Sequence, residues 1–319
     1  MLDILSITGP IYLCILTGYV VTRMGLFTRE DMRVFGKFVI NLALPSLLFN
    51  ALSQRSVNEI LNGQYLTAYA VAGLLTLSLG FAWARWGKGG SMSHASMMAM
   101  GMSCPNSGFV GYPTILLTLG ASTAGVSLAL NMMVENLLII PILLALADMD
   151  ADGKGDWHQA FKRSLLGLVR NPLIIAIVLG MMASFAGWQL PGPIARSVDL
   201  FAKSSGALSL FVIGGGLVGL KVHGMKATVA QIGMGKLVLH PLVMCVALLF
   251  IVPVHDPLLR TAALLTCAMP MMGIYPILSQ RHGHEGVSSA ALLVATAASF
   301  VSLNLLLWGL GQVPGWLPG

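Results

Sequence analysis

Apolar stretches long enough to cross a lipid bilayer recur from one end of this chain to the other, and only short polar loops part them. A hydrocarbon core of about 30 Å takes about 20 residues of α-helix. By that measure ten segments qualify: about 4–22, 34–52, 64–84, 92–119, 122–147, 171–188, 195–219, 228–252, 258–280 and 286–310. Composition agrees, since 56% of the 319 residues are hydrophobic and 9% are charged, where soluble domains carry about a quarter charged residues. Spanning strands are excluded, because the segments are too long and lack alternation of apolar and polar positions. The sequence therefore predicts an all-α membrane protein of ten transmembrane helices. The longest polar stretch, 148–170, is too short for a soluble domain.

The net charge of +6 is explained by topology. Arg23, Arg29, Arg33, Lys37, Arg85, Lys88, Lys154, Lys162, Arg163, Arg170, Lys221, Lys226 and Arg281 fall on one side of the predicted membrane. Arg55, Arg196, Lys203 and Arg260 fall on the other. Cations mark the cytoplasmic side, so both termini are expected outside, which in a bacterium is the periplasm, and nucleic-acid binding is not implied. The N-terminus has no basic n-region or small-residue cleavage site, so the first segment is expected to stay as a span.

The fourth segment contains Ser103-Cys104-Pro105-Asn106-Ser107-Gly108-Phe109-Val110-Gly111-Tyr112-Pro113, written for a broken helix. Pro105 and Pro113 remove backbone donors, and the two glycines tolerate non-helical dihedrals. A bilayer tolerates freed backbone groups only where protein or water satisfies them. The motif has a counterpart: Ser103-Cys104 followed by Tyr112-Pro113 returns 163 residues later as Thr266-Cys267 followed by Tyr275-Pro276. Ser46-Leu47 likewise maps onto Ser209-Leu210. The second break holds Pro270, Met271, Met272, Gly273 and Pro276. Two halves, 1–147 and 171–319, joined by the linker 148–170, each hold five segments. Because five is odd, the second half enters the membrane from the opposite side. This is an inverted repeat with discontinuous segments 4 and 9, a pattern in which the broken helices meet at a binding site.

At these residues the chain resembles the auxin efflux carrier family, especially its bacterial malonate and malate transporter members. The likeness runs through Asn41-Leu42-Ala43-Leu44-Pro45, the Asn106–Pro113 run, Asn171-Pro172-Leu173, Lys236 through His240-Pro241, and Ala268-Met269-Pro270 to Tyr275-Pro276. The resemblance implies a fold like that of bile-acid/sodium symporters. In it segments 1, 2, 6 and 7 form a scaffold, the rest form a transport core, and segments 4 and 9 cross. It also implies a bacterial inner-membrane location, transport of a small organic anion such as malonate or malate, and a homodimer.

The positive end of a half-helix and its unpaired N–H groups suit an anion. The substrate carboxylate is therefore expected near Pro105, Asn106, Ser107 and Gly108, with Met271, Met272 and Gly273 opposite. Asn131 and Asn41 are further candidates, with helix-to-helix hydrogen bonding as the alternative for them and for Asn50, Asn136 and Asn304. Glu135 and Lys236 are the acidic and basic side chains near the centres of predicted spans, and His240 shares the face of Lys236 four residues on. Intramembrane charges pair or serve function, so two readings stand: a static Glu135–Lys236 ion pair, or a pair exchanging a coupled proton. Sodium coupling is disfavoured, since Glu135 is the only acid available near the break.

No nucleotide-binding loop is present, and no metal or cofactor is implied. Cys14, Cys104, Cys245 and Cys267 lie in apolar segments without ligand spacing, so structural thiols are expected. Asp148, Asp150, Asp152 and Gly153 mimic the start of a calcium loop, but Gln159 stands where the closing Glu belongs. His282 and His284 are expected in a solvated loop, and Trp157–Leu168 at the membrane interface. A channel or sensor on the same fold, and an intramembrane enzyme, are the other function classes. The enzyme lacks a nucleophile or ligand set at membrane depth.

Overall fold

A computed structural model of the chain describes residues 2–55, 61–149, 169–220 and 226–317, with 162, 166 and 167 between them. The helices in order are α1 (Leu2–Arg23), α2 (Arg29–Ser53), α3 (Gly63–Gly87), α4 (Met92–Ser103) and α5 (Ser107–Leu119). They continue as α6 (Ala121–Asp148), α7 (Pro172–Ala186), α8 (Gly192–Gly216) and α9 (Lys226–Ile251). The last are α10 (Pro257–Ala268), α11 (Tyr275–Gln280) and α12 (Glu285–Gly311). Among the described residues no strand forms, and six helices (α2, α3, α6, α8, α9 and α12) are long and apolar enough to cross a membrane. Asp150 and Asp152 of the linker, and nearly all of the expected interfacial piece 157–168, lie outside the described residues.

Prolines shape these helices locally. A proline has no N–H and its ring crowds the carbonyl four residues back. Ahead of Pro45, Pro113, Pro141 and Pro241 the helix answers with one wide turn, whose i to i+5 bonds are Leu44 N–H to Val39 O, Tyr112 N–H to Ser107 O, Ile140 N–H to Glu135 O, and His240 N–H to Gly235 O. Such turns re-aim nearby side chains and recur at functional sites. Here they hold Ser107, Glu135 and Lys236.

Two groups of helices result. α1 packs along α8, α2 lies against α7 and α8, and these four form one layer. α3 packs on α4, α4 on α6, and α9 on α4 and α12, building the other. Water is not what drives helices together in lipid, so close contact rests on small residues. The α1–α8 crossing is an extreme case: a Cβ on Gly214 would lie 1.8 Å from Ile15 O, and one on Gly18 would lie 2.0 Å from Phe211 O. Between α5 and α6 the chain reverses at Gly120, whose φ of 89° excludes most other residues.

The loop after α11 is more enclosed than expected of a solvated segment. The His282 side chain is 9% exposed and its Nε2 lies 3.7 Å from Asp148 Oδ1, while His284 stacks edge-on against His94 at 5.2 Å. Burial, with the neighbouring imidazoles of His94 and His282, holds His284 below its ordinary pKa. All four cysteines are free.

Candidate functional site: the crossing of two broken helices

Both breaks form where proline forbids the helical conformation of the residue before it. Cys104, ahead of Pro105, is extended at φ −102° and ψ 101°, and Met269, ahead of Pro270, at φ −65° and ψ 155°. The two breaks then run antiparallel, with Pro105 opposite Met271. Asn106 N–H donates to Pro270 O at 2.8 Å, and Met272 N–H donates to Cys104 O at 3.1 Å. The backbone groups freed by the prolines are thus satisfied by each other. This alters the expected donor set, because these two N–H groups are spent on holding the crossing together.

The donors that remain gather at the start of α5. Asn106 is 4% exposed and caps the helix, its Oδ1 accepting from Phe109 N–H at 3.1 Å. Its Nδ2 is buried without a hydrogen-bond partner, and a Cβ on Gly273 would lie 3.9 Å from it. Ser107 and Gly108 contribute N–H groups that an α-helix leaves unpaired in its first turn. The other half-helix, α11, spans six residues, so the positive end of α5 dominates the local field.

Behind the crossing lies a buried polar network. Glu135 on α6 accepts from Tyr69 OH at 2.7 Å and from the Ser107 hydroxyl, both at Oε1. One turn earlier Asn131 accepts from Tyr65 OH at 2.8 Å and donates to Thr266 Oγ1 at 3.1 Å. Lys236, fully buried, lies 2.8 Å from His240 Nδ1 and donates to Cys267 O at 2.7 Å, at the negative end of α10. Glu135 and Lys236 are bonded to separate partners, and among the described residues no ion pair within 4.0 Å joins them. Burial of each charge is offset by hydrogen bonds with neutral groups, which donate to Glu135 and accept from Lys236.

The structure therefore brings Pro105, Asn106, Ser107, Gly108, Met271, Met272 and Gly273 together, with Asn131, Glu135, Lys236 and His240 directly behind. Pro276 sits at the start of α11, and Pro113 lies inside α5, just after its wide turn Ser107–Gly111. Asn41 is placed otherwise: it is exposed, and its amide donates to Lys37 O of its own helix at 2.7 Å. Asn304 accepts from Thr8 between α12 and α1, while Asn136 donates to Met132 O of its own helix and accepts from Asn171, just before α7, at 3.5 Å. Sequence reasoning missed Tyr65, Tyr69 and Thr266. A signal existed, since Tyr65 and Tyr69 repeat the four-residue spacing of Asn131 and Glu135, and the two pairs bond rung to rung.

A protein of Rhizobium meliloti named "Putative malonate transporter" is 28% identical over 97% of this chain and 96% of its own length. An uncharacterized transporter of Escherichia coli K12 is 27% identical over 73% of this chain and 74% of its own. One from Methanothermobacter thermautotrophicus is 25% identical over 91% and 93%. These relatives are membrane transporters rather than enzymes. The family described as "Membrane transport protein" matches residues 7–307, and this chain belongs to it, the family of the auxin efflux carriers.

Proposed function

We propose that the protein is a secondary transporter that carries a small organic anion across the membrane by alternating access. The observation that carries this reading is the buried, unpartnered Nδ2 of Asn106 at the positive end of α5, facing the side chain-free Gly273. A carboxylate accepts from such a donor and from the first N–H groups of α5 without any need for a cation. A dicarboxylate such as malonate or malate is the substrate class, supported by the name of the Rhizobium meliloti relative.

In this reading the chain spans the membrane ten times as two inverted five-helix repeats, 1–147 and 171–319, linked by 148–170. It lies in the bacterial inner membrane with both termini in the periplasm, and a homodimer is the expected assembly. A proton is the coupled ion, held by Glu135 with Lys236 and His240 as the basic side; sodium is disfavoured because a single acid stands near the crossing. Counterflow in proteoliposomes tests the function. Labelled malonate should accumulate against unlabelled malonate inside, which neither a channel nor an enzyme produces. Asn106→Ala should lower exchange by about tenfold to a hundredfold, the range for losing a hydrogen bond to a charged group. Unchanged exchange kinetics in that variant would remove Asn106 from the site.

A further inference from the structure

The two breaks are not held alike. Val110, Gly111 and Thr114 of α5 are buried, and α5 packs against α1, α6, α8 and α10. Their counterparts 163 residues on are Gly273, Ile274 and Ile277. Of these Ile274 is 43% and Ile277 61% exposed, and α11 packs on α12 and α4. Gly273 marks this face as the one turned to the scaffold, since a Cβ there would lie 3.3 Å from Ile213 Cδ1 on α8. The half of the crossing toward α5 is therefore closed against the scaffold, and the half toward α11 is open. Arg55 at the end of α2 donates to Ser122 at the start of α6, closing the same side.

One side chain ties the closed half to the scaffold. Ser209 Oγ on α8 donates to Phe109 O at 3.0 Å, sharing its proton with Gly206 O of its own helix at 2.9 Å. The reason is chemical: the helical partner of Phe109 O would be the N–H of residue 113, which is proline. The same vacancy recurs in the second repeat, where Pro276 stands four residues after Met272. Met272 O takes one bond, from Tyr275 N–H at 3.1 Å, for its two lone pairs. Ser46 is the repeat counterpart of Ser209, sits on α2, and is half-buried.

We propose that Ser209 and Ser46 are alternating positioning residues. Ser209 supplies the donor that Pro113 withholds from Phe109 O when the α5 side is closed. Ser46 supplies the donor that Pro276 withholds from Met272 O when the α11 side is closed. The inference rests on the inverted-repeat transporter reading above. Each latch stabilises one facing state, and exchange between them releases one orphaned carbonyl as it satisfies the other.

Hydrogen–deuterium exchange of the full-length protein in nanodiscs tests this. Ser209→Ala should raise exchange in 107–119 and lower it in 273–280, each by about fivefold, the effect of one neutral hydrogen bond on a two-state equilibrium. Ser46→Ala should do the reverse, and Ser209→Thr, which keeps the hydroxyl, should restore the wild-type pattern. Pro113→Ala returns the missing N–H and should make the protein insensitive to Ser209→Ala. Shifts of the same sign in both alanine variants, or none, overturn the latch. Counterflow by the wild-type protein judges the transport reading separately, so the two can fail independently.

Discussion

Glu135 is a carboxylate sealed in the membrane whose partners, Tyr69 and Ser107, are neutral donors rather than cations. A glutamine in its place keeps the shape and an acceptor oxygen, so Glu135→Gln should fold with little loss. If Glu135 carries the coupled proton, uptake by the variant should lose the pH dependence of the wild type; initial rates in proteoliposomes over a pH series decide it, and a retained slope would end the coupling role. Glu135, Lys236 and Asn106 were legible in the sequence because polar groups are rare and costly in such segments. Their partners were not. Tyrosines and threonines are common in spans, and only the packing of α3 and α10 against α6 turns Tyr65, Tyr69 and Thr266 into bonded neighbours. Nor does any local pattern show that the direct partners of Glu135 and Lys236 are neutral groups rather than each other.

Helix contacts decide which glycines matter. At the α1–α8 crossing a methyl on Gly214 would enter the backbone of Ile15, and neither helix can yield without separating. Gly214→Ala should abolish the folded species in fluorescence-detected size exclusion. Gly206→Ala, on the same helix with nothing within 4 Å of its Cβ, should be neutral or stabilising by up to about 1 kcal/mol from helix propensity. The start of α2 makes a different prediction. Asp31 is bonded by the backbone N–H of Thr28 and then by its hydroxyl, which hold its carboxyl below the ordinary pKa. A depressed folded pKa gives stability that is present above the unfolded value and lost as pH falls through the folded one. The protection factors of the amides in the first turn of α2, corrected for the pH dependence of intrinsic exchange, should therefore fall in acid, and Asp31→Asn should remove that fall. Element positions were readable from apolar length, and the wide turns from prolines. The end of α11 at Gln280 likewise falls where the ninth apolar segment, 258–280, runs out.

At the scale of the molecule, the cation bias of the loops predicts both termini outside. A C-terminal epitope should be reached by antibody in intact spheroplasts without permeabilisation; access only after permeabilisation would invert the topology. The two-layer arrangement gives that sidedness a mechanical meaning, because the layer of α1, α2, α7 and α8 meets the crossing on one face and leaves α11 uncovered. The sequence by itself determined that the chain is helical and membrane-bound, where its helices break, and which polar residues stand near the breaks. These are consequences of local composition: apolar length sets spans, and proline removes a donor wherever it stands. Tertiary structure alone decided where the freed groups went. It paired the breaks backbone to backbone, left Asn106 Nδ2 as the open donor, and gave Phe109 O to Ser209. Each such bond joins residues far apart in sequence, and no local pattern specifies the rotation and depth at which two helices meet.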